Sequence, residues 1–310
     1  MPDIVICEFM DQGAVAQLQS RYDTLYDPGL LERPQDLAEA IRSARALIVR
    51  NRTQVRGDLL AAGRKLSCIG RLGVGLDNID LEACRARNIA VYPASGANDQ
   101  SVAEYVVATA LILLRGAYLS SDDVAAGAWP RQQLIGREVS GKVMGLIGFG
   151  AIARETASRA MAFRMDIAAC DPLLPADHPA WNEARRCDLD TLLSVSDVVS
   201  LHVPLTAETR HMIGKMQLEA MKPQAVLINA ARGGVVDEIA LIEILRSGHL
   251  AGAALDVFET EPLDNDAGAR FAGVRNLILT PHVAGLTEES DRRVGSVTVS
   301  NVMNHLEGRR

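Results

Sequence analysis

The sequence predicts an α/β protein built on parallel sheets, and three observations point there. Short β-branched runs alternate with longer segments of helical period along the whole chain. The alternation restarts after Lys142 and yields six further strands, the number that suits a doubly wound sheet. The first of these strands runs into a glycine turn and a helix, in KVMGLIGFGAIARETASRAMAF.

In the first third the expected strands are Asp3–Cys7, Ala46–Val49, Cys68–Arg71 and Ile89–Val91. Helical segments fall near Gly13–Leu18, Pro34–Arg42, Asp58–Gly63 and Leu81–Arg87. From Asn98 to Leu119 no Gly or Pro intervenes until Gly116, so a long buried helix is expected, able to bridge two domains. Ser120 to Lys142 is polar, breaks both periods and carries Trp129; it reads as a long loop serving as an interaction arm. The later strands are placed near 143–147, 166–169, 198–201, 225–228, 253–257 and 277–279. A last helix, Glu288–Glu307, follows the sixth strand and can return to the first domain.

The 310 residues provide a sizeable core and suit two domains. Apolar residues make up 48% and charged residues 23%, which excludes a disordered or fibrous chain. No run approaches the ~18 uncharged apolar residues of a membrane span. MPDIVICEFMD carries acids where a secretory signal would be basic, so a cytoplasmic protein is expected. A net charge of −7 offers no broad basic surface, and neither nucleic acid nor membrane is an expected partner. Cys7, Cys68, Cys84, Cys170 and Cys187 are odd in number and lack CxxC spacing, so neither disulfides nor a metal site is indicated.

In GLIGFGAIAR (145–154), Gly148 permits a sharp turn and Gly150 leaves room for a pyrophosphate at a helix N-terminus, where free N–H groups and the dipole favour anions. Ala151 and Ile152 open that helix. The third slot of the motif, at Ala153, governs only how closely helix and strand pack, and alanine is accepted there. A plain strand–helix turn would look similar. Asp171 ends the next strand, about 20 residues beyond the glycines, where a carboxylate takes both hydroxyls of an adenosine ribose and repels a 2′-phosphate. This favours NAD over NADP; the alternative is that Asp171 starts a turn with Pro172.

Three later strand ends carry polar groups among apolar flanks: LINAARGGVVDE (Arg232), LDVFETEPL (Asp256, Glu261) and LTPHVAG (His282). Ligands bind at that edge of open α/β sheets. A carboxylate that hydrogen-bonds a histidine makes it a usable acid or base, and an arginine grips a planar carboxylate. Singly, each has an ordinary reading: a surface ion pair, a loop acid before Pro262, a satisfied strand-end histidine.

GRLGVGLDNID, SVAEYVV, GLIGFGAIAR, SLHVPLTAETRHMIG, LINAARGGVVDE, AGAALDVFETEPL and TPHVAG together resemble the D-2-hydroxyacid dehydrogenase family over nearly the whole chain. The resemblance implies two α/β domains: a flavodoxin-like substrate-binding domain, 1–97 plus 286–310, and an inserted Rossmann-type NAD-binding domain, 98–285, with the active site in the cleft. It implies catalytic roles for Arg232, Glu261 and His282. It places His202, Pro204, Ala230, Arg232, Asp256 and His282 beside the cofactor, and Gly73, Val74 and Gly75 in the loop whose N–H groups hold the substrate carboxylate. The segment around Trp129 resembles the family's dimerisation arm, implying a homodimer. In the implied scheme His282 exchanges a proton with the C2 oxygen, Glu261 stabilises the imidazolium, and Arg232 polarises and orients the 2-oxo acid while hydride passes between C2 and NAD.

Arg50 and Arg71 match positions that serve the substrate phosphate in the 3-phosphoglycerate branch; Arg52 matches less well. A second anion on the substrate is therefore expected, either 3-phosphoglycerate or sulfolactate. The segments 116–138, MPDIVICEFMD and VRNRTQV resemble the sulfolactate side, and the chain ends without a regulatory domain of the kind many phosphoglycerate enzymes append. Hydroxypyruvate or glyoxylate reduction, and a non-catalytic NAD-sensing corepressor-like protein, remain the alternatives.

Overall fold

Short apolar β-branched runs bury both faces only when helices cover both sides, and both sheets are built that way. The structure, a computed structural model, describes residues 2–309; Met1 and Arg310, at the ends of the expected substrate-binding domain, lie outside them. Two compact units are present, Met1–Asn98 with Leu286–Arg310, and Asp99–Gly285. The first boundary follows Asn98 rather than Ala97 because the long helix begins at Asp99.

In the first unit β1 (Ile4–Ile6), β2 (Thr24–Tyr26), β3 (Ala46–Val49), β4 (Cys68–Arg71) and β5 (Ala90–Pro93) pair in parallel in the order β2-β1-β3-β4-β5. This is the flavodoxin-like order, with its topological switch point between β1 and β3. β1, β3 and β4 are wholly buried. β2, which the sequence did not reveal, is a half-buried edge strand, too short to show a period.

The final helix, Glu288–Leu306, starts at a capping box of Thr287 and Ser290 and packs on this sheet, the expected return to the first domain. A Cβ added at Gly70 of β4 would lie 2.8 Å from a Thr298 methyl and 2.9 Å from a Val302 methyl. One added at Gly295 would lie 2.8 Å from the Ala14 Cβ of the helix Gln12–Gln19.

In the second unit β6 (Val143–Ile147), β7 (Asp166–Cys170), β8 (Arg185–Arg186), β9 (Val198–Leu201), β10 (Val226–Asn229), β11 (Gly252–Leu255) and β12 (Leu277–Leu279) form one parallel sheet, β12-β11-β10-β9-β6-β7-β8. The strand order reverses between β6 and β9, as in dinucleotide-binding folds. Six strands were expected; the seventh, β8, consists of two exposed arginines at the edge, where charge blunts further pairing and leaves no hydrophobic signature.

The long helix Asp99–Arg115 stops earlier than expected, because Gly116 adopts a left-handed conformation, φ 63°. The segment expected as loop from Ser120 begins with a short helix, Ser121–Ala125. Beyond it Trp129 and Ile135 are 75% and 81% exposed, and the return is pinned by the Arg137 N–H donating to the Leu114 carbonyl at 2.8 Å.

Replacing Gly295 by Val forces side-chain atoms into the helix contact with Ala14. The expected cost is about 1–3 kcal/mol, read as a lower midpoint of the first unit's unfolding in urea; an unchanged midpoint contradicts this packing.

Candidate active site

Parallel register brings the site residues into one row. Cys170, Ile147, Leu201, Asn229, Leu255 and Leu279 are mutual partners across β7, β6, β9, β10, β11 and β12. The residues that follow them, Asp171, Gly148, His202, Ala230, Asp256 and Thr280, therefore emerge side by side, about 4.8 Å apart from strand to strand. The ladder continues one step into this row: Gly148 N–H donates to Cys170 (2.8 Å), His202 to Ile147 (2.7 Å), Asp256 to Asn229 (2.9 Å) and Thr280 to Leu255 (3.0 Å).

At the β6 end Gly148 has φ 86°, and a Cβ there would lie 2.6 Å from the His202 carbonyl oxygen; only glycine satisfies both conditions. Gly150 caps the helix Ala151–Ala162, and a Cβ there would meet nothing within 4 Å, which is the open approach a pyrophosphate needs. Ala151 is exposed and Ile152 half-buried, whereas Ala153 is fully buried in the core, so alanine satisfies the packing role of the third slot.

Asp171 Oδ2 accepts from the Phe149 N–H at 2.9 Å, and Oδ1 from Leu173 (2.9 Å) and Leu174 (3.2 Å). The turn role left open by the sequence is thus real, and the same carboxylate ties its turn to the glycine loop while keeping capacity for a ligand hydroxyl. These residues fit an NAD diphosphate and ribose.

At the opposite end Glu261 Oε2 lies 2.7 Å from His282 Nδ1, and its Oε1 accepts from the Phe258 N–H at 3.0 Å. Burial pulls the Glu261 carboxyl upward, but the hydrogen bond and charge of His282, the Phe258 N–H and the positive charge of Arg232 outweigh it, so Glu261 lies below the ordinary carboxylate range. It is ionised and can only accept, which puts the Nδ1 hydrogen on His282 and turns Nε2 to other work.

Asp256, expected beside the nicotinamide, is 1% exposed, and its carboxylate is spent on the loop that carries His282. It accepts from Thr280 Oγ1 (2.6 Å), the Val283 N–H (2.8 Å) and the Ala284 N–H (2.8 Å). These bonds hold His282 at φ 57°, a left-handed conformation costing on the order of 1 kcal/mol outside glycine. Tyr105 extends the chain by a 2.7 Å hydroxyl contact with Thr280.

Arg232 follows β10 in a loop clamped by Asn229, whose Nδ2 donates to the Arg232 carbonyl (2.9 Å) and whose Oδ1 accepts from Ala231 (3.1 Å). A Cβ on Gly233 would fall 1.7 Å from the Phe258 carbonyl; glycine there lets the arginine and glutamate loops touch. Glu238, 2% exposed, accepts from the Glu259 N–H at 2.8 Å and pairs with Arg270, bracing the loop of Glu261. Thr280, Tyr105, Asn229 and Glu238 were missed in the sequence: Thr280, Tyr105 and Glu238 touch other site residues only through the fold, and Asn229, whose partners are two and three residues on, reads as an ordinary strand-end residue.

His202 lies between the ends of β6 and β10, with Nε2 3.0 Å from Ser200 Oγ. Pro204 is exposed and Ala230 half-buried along the same edge.

In the first unit Gly73, at φ 136°, lies under Arg71, and a Cβ there would fall 1.8 Å from its Nη1. Arg71 is 8% exposed and donates to the Leu72 carbonyl at 2.9 Å; it braces the glycine loop in which Val74 is exposed and Gly75 half-buried. Arg50 is ion-paired to Asp291 at 2.5 Å, and Arg52 to Glu32 on the surface at 2.8 Å.

The NAD binding domain of the D-isomer specific 2-hydroxyacid dehydrogenases matches residues 107–284. Over 307 residues, 99% of each chain, the protein is 52% identical to an (S)-sulfolactate dehydrogenase of Chromohalobacter salexigens. It belongs to the D-2-hydroxyacid dehydrogenase family. A D-3-phosphoglycerate dehydrogenase of Archaeoglobus fulgidus is 39% identical over 274 residues; the match takes in 88% of this chain and 52% of the relative, so this chain spans about half that relative's length. The crystal structure of a D-lactate dehydrogenase from Aquifex aeolicus, complexed with NAD and lactic acid, superposes with a TM-score of 0.87 at 30% identity, covering 98% of this chain and 95% of that one. As a D-2-hydroxyacid dehydrogenase the chain is an NAD-dependent oxidoreductase.

Burial pushes the His202 pKa down to about 4, against about 6.5 for an unfolded histidine. The unfolded chain binds the extra proton between those values, so the stability from neutral His202 is complete above about pH 6.5 and is lost as the pH falls toward 4. The wild-type melting temperature is expected to drop more steeply over that window than that of His202→Gln in scanning calorimetry; parallel curves contradict it.

Proposed function

We propose that the protein interconverts a small 2-hydroxy acid and its 2-oxo acid, that the substrate carries a second anionic group, and that sulfolactate fits better than 3-phosphoglycerate. The observation that carries the reaction is the 2.7 Å pair of His282 and Glu261, with the Arg232 charge acting on Glu261, at the carboxyl edge of the NAD-binding sheet. An NAD sensor has no need of such a pair, which favours the enzyme.

NAD, when bound, supplies the hydride acceptor for oxidation and, reduced, the donor for the reverse. The protein's own groups manage the proton and the geometry. Neutral His282, its Nδ1–H held by Glu261, takes the C2 hydroxyl proton on Nε2; the resulting imidazolium is stabilised by the Glu261 carboxylate. In reduction the imidazolium returns that proton to the C2 oxygen. Arg232 draws charge toward the oxygen and orients the carboxylate, and the N–H groups of Val74 and Gly75 receive the carboxylate, the Gly73 N–H being taken by the Arg71 carbonyl at 2.8 Å.

The sulfolactate preference is supported by the (S)-sulfolactate dehydrogenase relative, and the second anion by Arg50 at the carboxyl end of β3, beside β4 and its glycine loop. The exposed Trp129 and Ile135 support a homodimer formed through that arm.

His282→Ala is expected to lower turnover by on the order of 100-fold or more while NADH binding, followed by fluorescence, changes little; retained turnover contradicts the assignment. With sulfolactate, 3-phosphoglycerate and glycerate compared by kcat/KM, sulfolactate should lead and Arg50→Ala should penalise only the two substrates with a second anion. A wild-type preference for glycerate overturns the second-anion reading.

A further inference from the structure

The switch point of the first sheet lies between β1 and β3, and the loops that leave those two strands are built around carboxylates. Glu8, just after β1 and 4% exposed, accepts from the Arg50 and Thr53 N–H groups on Oε1 (2.9 and 3.0 Å) and from Arg52 on Oε2 (3.2 Å). Asn78 Nδ2 donates to the carbonyls of Arg50 (3.2 Å) and Thr53 (2.8 Å). The backbone of Arg50 is therefore fixed from both sides.

Its side chain is committed as well. Nη2 donates to Asp291 Oδ1 at 2.5 Å, the two side chains being only 13% and 15% exposed. The guanidinium sits 5.4 Å from the centre of the Phe9 ring, and Nε is buried with no hydrogen-bond partner among the described residues. Asp291 stands in the first turn of the helix Glu288–Leu306, where the helix dipole favours its charge. Arg50 therefore does not present a bare positive charge. With Asp291 it forms a neutral pair, and the Glu8 carboxylate lies beneath its backbone.

This bears on which second anion Arg50 can receive, and it rests on the second-anion reading above. Repulsion from Asp291 grows with the charge of the incoming group. A sulfonate carries one negative charge, whereas a phosphate ester near neutral pH carries between about 1.5 and 2, its second proton leaving near pH 6. We propose that Asp291 is a specificity-determining residue that weakens Arg50 toward dianionic head groups and so selects a monoanionic tetrahedral group, a sulfonate, over a phosphate.

The test is steady-state kinetics of the NAD-loaded enzyme with sulfolactate, 3-phosphoglycerate and glycerate. Asp291→Asn keeps an oxygen acceptor for Arg50 and removes the charge. It should raise the 3-phosphoglycerate to sulfolactate ratio of kcat/KM about tenfold, the scale of one charge at roughly 6 Å in a partly solvated site. The change should appear in KM, with glycerate unmoved. The wild type gives an independent reading that needs no variant to fold: KM for 3-phosphoglycerate should rise relative to that for sulfolactate between pH 5.5 and 7.5, as the phosphate loses its second proton. An unmoved ratio in Asp291→Asn, or a flat relative KM in the wild type, overturns the role of Asp291. If Arg50→Ala instead penalises all three substrates equally, the underlying second-anion reading fails.

Discussion

Six parallel strands of the second unit end in one row, and the chemistry of the protein depends on that shared level. Each strand is too short and too apolar to carry function, but the residue after each one leaves the sheet at the same height. The row has Gly148 and Asp171 on one side of the switch point and His202, Ala230, Asp256 and Thr280 on the other, and the loops carrying Arg232, Glu261 and His282 start from it. Backbone hydrogen bonds set the spacing, so the loops that carry the site start from the most rigid part of the fold.

Rigidity past the strand ends comes from buried and half-buried polar groups, each tied to a specific loop. Asp256 spends its carboxylate on 280–284, Asn229 on 231–232, Glu238 on the 259 amide and Asp171 on the glycine loop. Satisfied in this way, buried polar groups specify one conformation; left unpaired, each would cost about 1–3 kcal/mol. The left-handed His282 shows the result, since its neighbours' amides are held so firmly that the ring is presented to Glu261 in a conformation the residue would not choose. The first unit uses the same device at Glu8 and Asn78, which fix the backbone of Arg50 and leave Asp291 to set its effective charge.

Much of this was legible in the sequence, for physical reasons that differ by element. Buried parallel strands are largely apolar runs, so β3, β4, β6 and β9 could be read to the residue, and so could the half-buried edge strand β12 from its three apolar residues. Gly148 announces itself because no side chain can replace it, Gly150 because it leaves the helix N-terminus open, and Arg232, Glu261 and His282 because charge among apolar flanks is expensive without a partner. β2 and β8 escaped, being edge pieces without a buried face. The roles of Tyr105, Thr280 and Glu238 escaped because they are defined by partners up to 175 residues away along the chain. Asp256 was found for its charge, while what that charge does, organising the histidine loop, is visible only in three dimensions.

The central claim is that the His282 imidazole, oriented by Glu261, exchanges a proton with the oxygen on C2 of the substrate. It is tested most directly by a crystal structure with NAD and a non-reacting 2-oxo acid analogue bound. The account predicts Nε2 of His282 within about 2.6–3.2 Å of the C2 oxygen, with Nδ1 still on Glu261. An analogue bound with its C2 oxygen on another group, and His282 beyond the reach of a hydrogen bond or one bridging water, would contradict it.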